Sequence, residues 1–214
     1  MVITMDELLR LPTFAVDRLR MSTDGHGVRT LIGAYGCPLR CKYCLNPHSW
    51  NDKVIPRVFT PESLFEEVKI DNLYFQTTKG GLTFGGGEPL QYSNFIKEFA
   101  KLCPDSWSLY VETSLNVPLT NVYDVVDIFE HFVVDIKSMD ADVYRAYTGG
   151  ELDIPLKNLE WLLSKVGADR ITVRIPIIYS FADAASQKKS IKKLQDLGIK
   201  NIDAFKYKTV RKYK

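Results

Sequence analysis

Apolar runs of strand length alternate with longer stretches of helical periodicity over most of this chain, which restricts it to repeated β/α units. Candidate strands cover Arg29–Ala34, Gly81–Phe84, Ser108–Glu112, Phe132–Ile136, Ile171–Ile177 and Asn201–Phe205. Each is short, rich in β-branched or aromatic residues, and bounded by Gly, Pro or polar residues. Between them, apolar residues recur every three or four positions, predicting helices over Glu62–Ile70, Ser93–Leu102, Val122–Glu130, Pro155–Val166 and Ala184–Leu197. Thr60 before Pro61 reads as an N-cap followed by proline at the first helical position, and Gly198 closes the last helix. A full eight-fold barrel typically needs roughly 250 residues. The 214 residues here therefore predict an α/β fold, a partial (β/α)6 TIM-like barrel open at one side. The chain reads as one domain over 1–214, with an N-terminal extension (1–20), a barrel core (21–205) and a basic C-terminal tail (206–214). In a parallel barrel the loops after the strands' C-terminal ends carry function.

One such loop holds Cys37, Cys41 and Cys44, three of the four cysteines within eight residues. A [4Fe–4S] cluster normally takes a thiolate on each iron, so three cysteines leave one iron open, and chemistry would occur there. The alternative is structural: His48, four residues after Cys44, could complete a tetrahedral Cys3His zinc site that only staples the loop. A disulfide reading is weaker, because three clustered cysteines are an odd number and Cys103 lies far away beside Pro104. Cys103 reads as a small buried apolar residue.

Composition narrows the class. Hydrophobic residues make up 45% of the chain and aromatics 12%, enough for one well-packed core. The N-terminus has no basic segment leading into an apolar stretch, and no apolar run is long enough to span a bilayer, so a cytoplasmic protein with reduced thiols is expected. A net charge of +2 does not argue for nucleic acid. The run Lys206, Lys208, Arg211, Lys212, Lys214 reads as a solvated tail or, less often, a docking patch for an acidic partner.

Three further strand ends are polar. Thr83-Phe84-Gly85-Gly86-Gly87-Glu88-Pro89 runs a strand into three glycines and an acid, which lets backbone approach a ligand closely; a tight turn is the plainer reading. Val111-Glu112-Thr113-Ser114 and Val133-Val134-Asp135-Ile136-Lys137 place acids on the same rim, where each is either a buried acceptor or a ligand contact.

These segments resemble the radical S-adenosylmethionine (SAM) activases of glycyl radical enzymes, the pyruvate formate-lyase activating family. The resemblance covers roughly residues 20 to 180. It begins at Asp24-Gly25-His26-Gly27-Val28-Arg29-Thr30, continues through the Cys37–Cys44 loop with Leu45-Asn46-Pro47 and the segment from Gly80 to Leu90, and extends through Asp135-Ile136-Lys137, Tyr147-Thr148-Gly149, Asn158-Leu159 and Arg174-Ile175-Pro176. The cysteine spacing specifies the superfamily; the glycine-rich segments specify the activase branch.

The resemblance implies that Cys37, Cys41 and Cys44 hold a [4Fe–4S] cluster whose open iron binds SAM, and that one electron from a flavodoxin or ferredoxin cleaves SAM to methionine and a 5′-deoxyadenosyl radical. It places the backbone of Gly86 and Gly87 at the methionyl amino group, Tyr43 and Leu45 beside adenine, and Asp135, Ile136 and Lys137 along the ribose and methionyl carboxylate. Glu112, Thr113 and Asp135 fall where a relative holds a monovalent cation. The radical would take hydrogen from a glycine of a partner glycyl radical enzyme, with Asp24 and Arg174 contacting the inserted loop of that partner; the activase itself is expected to be a monomer. The chain departs from the family at Lys208, which stands at a histidine position, and at Glu112, which is often Asp. With only Cys103 remaining, the chain has no cysteine-rich insertion, so a single cluster is expected. Two rivals remain: another radical SAM enzyme acting on a small molecule or peptide, including an anaerobic ribonucleotide reductase activase, and a zinc-stapled β/α binding protein.

Overall fold

A computed structural model describes residues 9–21 and 24–207. The strands are β1 (Leu11–Met21), β2 (Val28–Ala34), β3 (Arg57–Phe59), β4 (Gly81–Gly86), β5 (Ser108–Thr113), β6 (His131–Asp135), β7 (Ile171–Ile177) and β8 (Asn201–Lys206). The helices are α1 (Pro61–Val68), α2 (Asn72–Thr78), α3 (Ser93–Ala100), α4 (Leu119–Tyr123), α5 (Ala141–Thr148), α6 (Asp153–Val166) and α7 (Ala184–Asp196). The eight strands belong to one sheet in the order β3-β1-β2-β4-β5-β6-β7-β8. From β2 to β8 the pairing is parallel, as the six expected units require, while β1 and β3 run antiparallel at one margin. Among the described residues the sheet does not close, because β3 and β8 are its two ends.

Alternation along each strand separates two faces. Phe84, Val111, Phe132, Val134, Val173 and Ile175 are essentially inaccessible and meet Phe95, Phe99, Leu159, Leu162 and Leu194 from the helices. Phe84 packs edge-on against Phe99 and Phe129, at 5.7 and 6.1 Å between centroids. Each such side chain contributes about 1.5–3 kcal/mol by leaving water. The other face carries Glu112, Asp135 and Arg174, and the chain's chemistry lies there. Helix starts follow the sequence: the Thr60 hydroxyl accepts from Ser63 N at 3.2 Å while Ser63 Oγ accepts from Thr60 N at 2.9 Å, a reciprocal cap ahead of Pro61.

Three expectations need correction. The second half of the supposed N-terminal extension is β1, an eleven-residue strand paired to both β2 and β3. Its charges hide it: Arg18 forms a two-pronged bond with fully buried Asp71, and Arg20 pairs with Asp17 and Asp24. The segment Val122–Glu130 is not a helix beyond Tyr123. Val122, Val125, Val126 and Phe129 are buried as the periodicity requires, but through successive turns in which Val125 N bonds to Val122 O and Ile128 N to Val125 O. Lys206 ends β8 rather than opening a tail, and Lys208, Arg211, Lys212 and Lys214 lie outside the described residues. Among the described residues, no helix is long and apolar enough to cross a membrane.

Candidate active site

The cysteine loop leaves the C-terminal end of β2 and is pinned along its length. Arg40 N bonds to Thr148 O at 2.8 Å and Lys42 N to Tyr147 O at 3.0 Å, fixing it against the end of α5; Asn46 Nδ2 donates to Gly86 O at 3.1 Å, fixing it to β4. All three loop cysteines are free thiols and line one cavity of about 610 Å³. Burial pushes the Cys37 thiol up to about 12 and the Cys41 thiol to about 11, the latter against the opposing charge of Lys137. Such thiols stay protonated until a metal displaces the proton.

The donor set fits an iron–sulfur cluster. Cys37, Cys41 and Cys44 offer three soft donors to one cavity, the ligand type an iron–sulfur group takes. His48, needed for zinc, sits exposed on the turn after the loop and does not line the cavity.

At the end of β4 the backbone lies hard against this loop. Gly86 has φ +91°, and a Cβ on Gly87 would fall 2.1 Å from Gly36 O, so only glycine permits the approach. Glu88 follows, fully buried. Its carboxylate accepts from Thr113 Oγ1 (2.6 Å), Ser114 N (2.8 Å), Ser114 Oγ (2.6 Å) and Leu90 N (3.2 Å), tying the end of β4 to that of β5. Beyond β5, buried Asn158 donates to Leu115 O and Val117 O, each at 2.8 Å, and so holds the loop that follows.

Across β5, β6 and β7 the concave face carries a charge network. Arg174 Nε and Nη2 bond to Asp135 Oδ1 and Oδ2 at 2.7 and 3.0 Å, and Nη1 and Nη2 to Glu112 Oε1 and Oε2, both at 3.1 Å. Lys137 Nζ lies 3.1 Å from Asp135 Oδ2. Burial alone would raise the Asp135 carboxyl, but Lys137 and Arg174 outweigh it and hold it well below the usual carboxylate range. For Glu112 burial wins, and its carboxyl is pushed up despite Arg174.

Of the expected site residues, Cys37, Cys41, Cys44, Leu45, Gly86, Gly87, Glu112, Thr113, Asp135, Lys137, Asp24 and Arg174 all line the cavity. Tyr43 instead packs among Tyr147 and Phe181, at 6.1 and 6.0 Å between centroids, and the Ile136 side chain is fully buried in the core. Arg174, expected at a substrate loop, is bonded to both acids. Sequence reasoning gave no role to Glu88, to Asn46, or to Phe14 and Arg20, which β1 brings to the cavity wall. The four-residue spacing of Arg20 and Asp24, which form an ion pair, was a usable signal.

A parallel open sheet with three cysteines after its first parallel strand defines an iron–sulfur barrel enzyme of the radical SAM kind, and residues 31–185 match the Radical SAM superfamily. The chain belongs to that superfamily. Its relatives there include activating enzymes. It is 33% identical to the pyruvate formate-lyase-activating enzyme of Clostridium pasteurianum, covering 84% of this chain and 72% of that one. It is 26% identical to the (2S)-3-sulfopropanediol dehydratase activating enzyme of Klebsiella oxytoca, over 75% of this chain and 69% of that one. Among solved structures, Streptococcus suis SuiB bound to precursor peptide SuiA superposes with a TM-score of 0.63 at 13% identity, over 84% of this chain but only 40% of SuiB. Native anSMEcpe with bound AdoMet gives 0.60 at 16% identity, over 83% and 52%. These two likenesses concern the fold.

Proposed function

We propose that this enzyme activates a glycyl radical enzyme by reductive cleavage of SAM. The observation that carries the reading is that the three cysteines share one cavity with the Gly86–Gly87 backbone and the Asp135–Lys137 pair, and that this cavity is walled by both β1 and β8, at the two margins of an open sheet. An opening of that kind suits an inserted polypeptide loop better than an enclosed small substrate.

Cys37, Cys41 and Cys44 would hold the [4Fe–4S] cluster. Bound together, the cluster and SAM supply the one-electron chemistry that ends in hydrogen abstraction. Lys137, a point charge beside Cys41, suits the methionyl carboxylate, and the Gly86 and Gly87 backbone suits the amino group. Cavity acids Asp17, Asp24, Glu112, Asp135 and Asp203 outnumber the bases Arg20, Lys137 and Arg174, which favours a sulfonium cation. Glu88 and Asn46 hold the binding backbone in place, while Asp24, paired with Arg20, stands ready for the partner's glycine loop. The reading includes a cytoplasmic, monomeric enzyme reduced by a flavodoxin or ferredoxin.

Anaerobic reconstitution with iron and sulfide tests it: the protein should turn brown, release 5′-deoxyadenosine under dithionite, and produce a glycyl radical signal on a cognate partner. Alanine at Cys37, Cys41 or Cys44 should abolish SAM cleavage, while Cys103→Ala should leave it nearly intact. A fully protein-ligated metal centre without affinity for SAM would defeat the reading.

A further inference from the structure

Glu112, Thr113 and Asp135, the positions expected to hold a monovalent cation, are already engaged by donors of the chain itself, among them a permanent cation. Every carboxylate oxygen of Glu112 and Asp135 already accepts from the Arg174 guanidinium. The Thr113 hydroxyl is also used in both directions, donating to Glu88 Oε1 at 2.6 Å and accepting from Leu115 N at 2.9 Å. It is 2% exposed, and strand alternation turns it away from Glu112. A planar guanidinium with donors on two edges can face two carboxylates at once, which a spherical ion does without direction.

We propose that Arg174 is the resident cation of this site, and that SAM binding here requires no inorganic monovalent cation. The inference rests on the site binding SAM. A cation carried on β7 is present at every salt concentration and sits at a fixed position between β5 and β6. It holds Glu112 and Asp135 together on the cavity wall, where two carboxylates of adjacent strands would otherwise repel. Lys137, which shares Asp135 Oδ2 with Arg174, balances the second negative charge. Arg174 is on this account a positioning residue, acting through the two acids.

Two measurements decide the matter. Sodium NMR relaxation of the metal-free protein, with potassium as competitor, should show no saturable site in the wild type and a saturable one in Arg174→Ala. For the reconstituted enzyme, the wild-type SAM Kd should agree within about twofold in potassium, sodium and tetramethylammonium chloride at one ionic strength. Arg174→Ala should bind SAM about tenfold more weakly in tetramethylammonium than in potassium or guanidinium chloride. Should Arg174→Ala fail to fold, Arg174→Lys takes its place, with the same dependence in weaker form, since an ammonium cannot span four oxygens. A saturable, potassium-displaced sodium site in the wild type overturns the inference, as does wild-type SAM affinity that collapses in tetramethylammonium and returns with potassium. Failure to bind SAM in any salt would instead defeat the proposed function, and the NMR experiment on metal-free protein would still decide this point.

Discussion

Glu88 shows how a single side chain fixes the geometry around it. Four donors surround its carboxylate: the Thr113 and Ser114 hydroxyls and the Ser114 and Leu90 amides. Burial pushes the Glu88 carboxyl up, while those four bonds pull it back. Because the partners donate, an acceptor-only carboxylate matches them, and Glu88→Gln would turn an amide NH2 toward hydroxyl or backbone donors. The variant should lose about 1–3 kcal/mol of unfolding free energy in urea; a loss near zero would mean that the acid is protonated in the native protein. Asp135 behaves oppositely with pH. Its folded pKa is depressed, so it contributes stability above its unfolded pKa of about 4 and loses it as pH falls through the lower folded value. Asp135→Asn should therefore be markedly less stable than wild type at neutral pH, with the gap narrowing in acid; a gap that widens there would refute the assignment. Neither residue's partners could be read from the sequence. Glu88 stood visibly after three glycines and Asp135 at a strand end, but apart from the nearby Leu90 amide and Lys137 ammonium the donors come from Thr113 and Ser114 at the end of β5 and from Arg174 on β7, fixed only once the sheet is built.

At the scale of elements, legibility followed burial except at β8, which is mostly exposed and was still legible as Asn201–Phe205. Strands β2 and β4 to β7 were readable because helices cover one face and the concave cavity receives the other, which leaves short β-branched or aromatic runs. β1 was not, because Asp17, Arg18 and Arg20 look like solvent residues while Arg18 pairs with Asp71 and Arg20 with Asp17 and Asp24, and because two register shifts break its alternation. Val122–Glu130 failed in the other direction, since turns bonded three residues apart bury nearly the same stripe as a helix. β1 also bears on the site through Phe14, whose ring would lie 2.6 Å from a Cβ placed on Gly86. Gly86→Ala should disrupt SAM binding and lower the melting temperature, and adding Phe14→Ala should not restore either. The same Cβ also meets Gly33 Cα at 2.8 Å, and the backbone there has φ +91°, neither of which a smaller ring neighbour relieves. Recovery in the double variant would show that the obstruction is the ring alone.

The whole molecule is a curved sheet whose two margins face one cavity. Phe14, Asp17 and Arg20 enter from β1 and Asp203 and Phe205 from β8, strands separated by five others in the sheet order. Between β4 and β7 each strand is bonded on both sides, whereas β8 pairs only with β7 and exposes most of its side chains. Exchange of amide hydrogens should therefore be slowest in β4 to β6 and fast in β8, whose outer edge has no strand beside it among the described residues. If the partner's glycine loop fills the gap between the margins, a peptide spanning that loop, added to the SAM-bound enzyme, should slow exchange in Asn201–Lys206 and in Leu11–Met21 together and leave β5 and β6 unchanged. The cavity wall spans both margins, so a loop reaching the cysteines must pass between them; protection confined to the outer helices would place the partner on the opposite face, away from the cysteines, and would be incompatible with hydrogen abstraction at this site.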